Sequence, residues 1–155
     1  MFKTIVWATD GSELADRALD FVRELALQDG SKIVALHANE LMRGRSKGYP
    51  ALADEPELEK RIGKQIQELR SVGIDATFEI RSGTKPVATL IAEAAKDVDA
   101  DLIVVATHGA GGLSVALMGS VARALCHTAE TPVLVIPPVR KPEQSVEKDD
   151  RLAAV

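Results

Sequence analysis

Short, nearly continuous apolar runs alternate along this chain with longer stretches in which apolar residues recur every three or four positions. Thr4 to Ala8 (TIVWA) reads as a strand covered on both faces. It ends at Thr9-Asp10-Gly11-Ser12, after which Leu14, Ala18, Phe21 and Leu25 draw a helical stripe that stops at Asp29-Gly30. Ile33 to Ala38 is a second strand, followed by the long polar loop NELMRGRSKGYPALADE. A helix opens at Pro56, carries Leu58, Ile62, Ile66 and Leu69 on one face, and ends at Gly73. Ala76 to Ile80 is the third strand, and a helix opening near Pro86 has Val87, Leu90, Ile91, Ala94, Ala95 and Val98 at helical spacing. Leu102 to Ala106 and Val133 to Ile136 are the last strands, joined by a helix starting close to Gly119-Ser120. Strands alternating with helices predict an α/β fold with a parallel sheet. No boundary interrupts residues 1–137, which we read as one domain, and 138–155 as a polar, proline-containing tail outside its core.

Composition narrows the class. A 155-residue chain with 46% hydrophobic and 27% charged residues has the balance of a folded globular domain. A net charge of −4 and a pI near 5.4 argue against nucleic acid as a partner, because phosphate backbones are held by clustered Lys and Arg. The single cysteine, Cys126, excludes an intramolecular disulfide and a cysteine zinc cage, and is expected as a small buried residue on a helix. The apolar run before Asp10 is too short for a signal peptide, and no stretch approaches the roughly 18 apolar residues of a membrane span. The expectation is a cytoplasmic protein without a membrane partner.

Ligands of open parallel sheets bind outside the carboxyl ends of the strands. Two loops there carry unusual chemistry: ATDGS after the first strand, and ATHGAGGLSVALMGS (Ala106 to Ser120), with four glycines, after the fourth. Gly119 and Ser120 precede the helix carrying Val121, Ala124 and Leu125, so free N–H groups and the positive end of the helix dipole converge on that turn. Ser120 would add a hydroxyl donor or act as a plain N-cap. The Walker pattern fails because Gly119 is not followed by lysine, and the first strand lacks GxGxxG.

His108-Gly109, nine residues, Gly119-Ser120, a helix and then TPVLVIP together resemble the nucleotide loop of the universal stress protein family. VWATDGSELADRAL resembles the family's early strand, aspartate and helix, and the likeness spans roughly Phe2 to Pro137. The ATP-binding branch is similar to G-x2-G-x9-G-[ST]; this chain has Ala106 where the first glycine belongs. The resemblance implies an open five-stranded parallel sheet of order 3-2-1-4-5, Rossmann-like, with helices on both faces. It implies ATP, with Mg²⁺, as the ligand; AMP or a cyclic nucleotide are the alternatives. Carried over by position, Thr9 and Asp10 would lie beside the nucleotide and Ala38 would offer its backbone to adenine. Ala106, His108, Gly109, Gly119, Ser120 and Val121 would hold ribose and phosphates.

Physical alternatives stand beside these roles. Asp10 can cap the first helix with Glu13 as a capping-box partner. Alanine resists positive φ, so the backbone at 106 decides whether the missing glycine matters. Ala106 to Met118 contains no Lys or Arg, which leaves backbone N–H groups, a divalent ion, or Arg43, Arg45 and Lys47 of the long loop acting as a basic lid. His108 is read as a loop hydrogen-bonding residue, and His37 and His127 as structural. A phosphate-receiver domain is excluded because Arg81 stands where its aspartate would end the third strand. The leading function is a nucleotide-sensing or sequestering regulator of stress response rather than an enzyme. The alternatives are a nucleotide-independent dimeric interaction protein and a slow ATPase. A homodimer is expected because VLVI (133–136) would be an apolar sheet edge.

Overall fold

In the computed structural model, which describes residues 1–41, 55–107 and 118–138, five strands and four helices alternate. They are β1 (Thr4–Ala8), α1 (Glu13–Asp29), β2 (Lys32–Glu40), α2 (Glu55–Ser71), β3 (Ala76–Gly83), α3 (Val87–Asp97), β4 (Leu102–Ala106), α4 (Ser120–Thr128) and β5 (Val133–Ile136). All strands are parallel, in the order β3-β2-β1-β4-β5 that the resemblance implies. The candidate lid residues Arg43, Arg45 and Lys47, and the polar tail from 139 onward, lie outside the described residues.

Alternation along the central strands sends side chains into two cores. Ile5 and Trp7 of β1 and Ile33 and Ala35 of β2 pack under α1 and α2, against Ala18, Val22, Ile62 and Ile66. Val6, Ala8, Val34 and Leu36 face the opposite way, toward Ile91 and Ala94 of α3 and Ala122 and Leu125 of α4. Both faces are therefore buried, which is why these strands read as continuous apolar runs.

Three expectations are corrected. The buried stripe of α1 is Ala15, Ala18, Val22 and Ala26, turned one position from the predicted one; Leu14 and Leu25 are half-buried. Small residues let the helix sit close over the central strand, where the Trp7 indole N–H donates to the Ala15 carbonyl at 3.0 Å. Phe21 is left 42% exposed with the Arg17 guanidinium over its ring. Cys126 is exposed rather than buried, because the inward positions of the short α4 are Ala122 and Leu125. Finally, β2 and β3 run beyond Ala38 and Ile80, pairing to Glu40↔Gly83. That extension is polar, and Arg81 within it bonds Glu79 and Asp97. No apolar alternation marks it.

Candidate functional site

The site follows from unequal strand lengths at one end of the sheet. The β1–β2 ladder ends at Ala8↔Leu36, with one further bond from the Thr9 N–H to the Leu36 carbonyl at 2.9 Å. β2 continues to Glu40, held only by β3. Peptide groups of a strand point alternately to its two neighbours. Ile33 and Leu41 donate to Asp75 and Gly83 on the β3 side, while Lys32 donates to Lys3 on the β1 side. By that parity Ala38 turns its N–H and C=O toward the space β1 has left. Across it lies β4, ending at Ala106, and the reversal of strand order between β1 and β4 makes this the topological switch point.

The turn leaving β1 is held by its own side chains. The Thr9 hydroxyl oxygen accepts from the Gly11 N–H at 3.1 Å, and Asp10 Oδ1 accepts from the Ser12 N–H at 3.0 Å. Gly11 has φ +76°, and a Cβ there would meet Cδ1 of Leu58 on α2. The positive φ is what favours glycine, since the Leu58 methyl is the far end of a flexible side chain. The N-cap of α1 is Ser12, whose Oγ accepts from the Ala15 N–H at 3.3 Å. This corrects the reading of Asp10 as the cap with Glu13 its box partner: Glu13 is the first helical residue, so Asp10 stands two residues too early. Asp10 itself is exposed at the mouth of the turn.

On the other side, the Thr107 N–H donates to the Ile136 carbonyl, and the Thr107 carbonyl accepts from the Gly119 N–H. The glycine-rich loop thus leaves and returns at one point. His108 and Gly109 lie outside the described residues. Gly119 is the N-cap of α4, with φ −59° and ψ 157°, and Ser120 is the first helical residue rather than the cap. Ser120 and Val121 consequently present N–H groups of an uncapped first turn, the end of a helix that favours negative charge. Gly119 is not left-handed, so its lack of a side chain is not explained by backbone strain. Nor is Ala106, which is strand-paired with Ile136; Asp99 is the one non-glycine with positive φ among the described residues. Alanine at 106 is conformationally inexpensive.

The structure therefore brings Thr9, Asp10, Ala38, Ala106, Gly119, Ser120 and Val121 to the carboxyl end of the sheet. Two residues that the sequence marked only as structural, Leu58 and His37, also stand there. Leu58 closes on Gly11, and His37 Nδ1 lies 2.9 Å from the Thr9 carbonyl. A carbonyl oxygen only accepts, so Nδ1 carries the proton. The signal available in the sequence was His37's place beside Ala38.

A family model described as the universal stress protein family matches residues 1–137. The chain belongs to the universal stress protein family. A universal stress protein of Methanocaldococcus jannaschii is 31% identical over 155 residues, covering 93% of this chain and 85% of that protein. One from Thermus aquaticus is 29% identical over 144 residues, covering 88% and 99%. Among solved structures, a universal stress protein of Archaeoglobus fulgidus in complex with dAMP is similar with a TM-score of 0.65 and 25% identity, over 88% of this chain and 98% of that one. As in any universal stress protein, the name describes descent and fold; what this chain binds has to be argued from its site.

Proposed function

We propose that this universal stress protein is an adenine-nucleotide-binding regulator whose ligand is ATP, carried with Mg²⁺. The observation that carries the reading is the early departure of β1. It leaves the Ala38 peptide facing the space that β1 vacates at the switch point, at the same end of the sheet as the uncapped first turn of α4. A backbone N–H and C=O pair suits the edge of adenine, which offers an acceptor nitrogen beside an amino group. The N–H groups of Ser120 and Val121 suit phosphate oxygens. Asp10 is assigned to the ribose side, with Thr9 shaping its turn, and Ala106, His108 and Gly109 to the wall of the ribose and phosphate subsite. The dAMP found in the Archaeoglobus relative supports an adenine nucleotide as the class. The role is sensing or sequestration rather than turnover, within a cytoplasmic homodimer joined through β5.

The test is to identify any small molecule released on denaturing the purified protein, then titrate stripped protein with ATP by calorimetry, with and without Mg²⁺. We expect a micromolar constant, about −8 kcal/mol, and strong weakening by Gly119→Val. Because φ at Gly119 is negative, valine fits the backbone and blocks only close approach. No heat up to millimolar ATP would sink the nucleotide reading and leave dimerisation as the function.

A further inference from the structure

We propose that His37 is a positioning residue of the nucleotide site. Its imidazole takes the last carbonyl of the β1 ladder and thereby keeps the Ala38 N–H available to the base. The inference rests on the nucleotide reading above and concerns how its adenine subsite is kept open.

In a continuing parallel ladder, a residue donates to the partner strand on one side of its opposite number and accepts from the other. Thr9 lies opposite His37: its N–H donates to the Leu36 carbonyl, so its own carbonyl would accept from the Ala38 N–H. That bond would carry β1 one step further and consume the donor that faces the vacated space. Instead, the Thr9 carbonyl lies 2.9 Å from His37 Nδ1. Thr9 is buried, so its carbonyl needs a donor, and the imidazole N–H supplies one from a side chain rather than from the backbone. β1 is then free to turn away through Asp10 and Gly11, where the Thr9 hydroxyl and the Asp10 carboxylate accept from the N–H groups of Gly11 and Ser12. His37 thus ends the central strand at Thr9 and fixes the turn that carries Asp10. The Nδ1–H donor is present in both the neutral ring with this tautomer and the imidazolium, so the bond does not depend on ring charge.

The comparison that decides is His37→Phe against His37→Asn, because the asparagine amide nitrogen can take the place of Nδ1 whereas phenylalanine keeps the ring without a donor. With ATP affinities measured by calorimetry, we expect His37→Phe to bind roughly tenfold more weakly than wild type and His37→Asn to recover to within about threefold. Wild-type affinity in His37→Phe overturns the proposal, and so does an asparagine variant as weak as the phenylalanine one. Should His37→Phe not fold, the asparagine variant and the wild-type ring still decide. Nitrogen chemical shifts of His37 in nucleotide-free protein are expected to show a protonated Nδ1, and a ring protonated only at Nε2 refutes the bond. That ring measurement does not involve nucleotide. If wild type binds no ATP, the nucleotide reading and the positioning role fail together, while a protonated Nδ1 would still establish the strand-ending bond.

Discussion

At the scale of the single residue, Gly11 shows how backbone and packing act on one position. Its φ of +76° disfavours any L side chain, and the Leu58 side chain would also have to turn aside for a methyl. Gly11→Ala should therefore cost about 2 kcal/mol or more of stability, read from urea denaturation; a variant as stable as wild type would mean that Leu58 and the turn both adjust freely. Asp101 acts at the opposite end of the sheet. Its carboxylate accepts from the N–H groups of Thr4 at 2.9 Å and Lys3 at 2.7 Å, and these bonds, Thr4's first, hold its pKa below the ordinary aspartate value. A depressed folded-state pKa contributes stability above the unfolded value, about 3.9, that is lost as pH falls through the folded value. Asp101→Asn should lower the melting temperature at pH 7, and the gap to wild type should narrow below about pH 4. A gap independent of pH would assign the effect to geometry instead of charge.

Among the elements, those with two buried faces or a strong helical stripe were legible in the sequence to within a few residues. TIVWA, LIVVA and VLVI are the strands β1, β4 and β5 as read. Helix rotation was less legible: hydrophobic spacing in α1 favoured Phe21, whereas packing over β1 selected Val22 beside it, in line with Ala15, Ala18 and Ala26. Cap residues depended on exact backbone angles, and both helix starts at the site shifted by one or two positions, to Ser12 and Gly119. Ser12→Ala should cost about 1 kcal/mol, measured as a shift in denaturation midpoint at unchanged slope. For Ala106, strand pairing with Ile136 means that no left-handed backbone conformation calls for glycine at this position. Ala106→Gly should lower stability by roughly 0.5–1 kcal/mol and leave ATP affinity unchanged; a large gain in affinity would show instead that the alanine methyl obstructs the ligand.

For the whole molecule, the two sheet edges differ in kind. The β3 edge carries Glu79 and Arg81 in ion pairs, a pattern that discourages strand addition. The β5 edge carries VLVI without a charge, and Leu134 is 37% exposed. The proposed dimer through β5 predicts that Leu134→Lys shifts sedimentation at micromolar concentration toward the monomer; a wild-type protein already monomeric there would contradict it. The alternation of apolar runs and helical stripes determined the α/β class, and the G-x9-G-S spacing of Gly109, Gly119 and Ser120 pointed to the family, because both depend on residues near one another in the chain. Periodicity and local spacing are properties of the sequence itself. Where β1 stops relative to β2, which way the Ala38 peptide faces, and that His37 reaches the Thr9 carbonyl were decided only in the folded molecule. Each depends on register between strands that lie some 28 residues apart in the chain, and register is set by the packing of both cores at once.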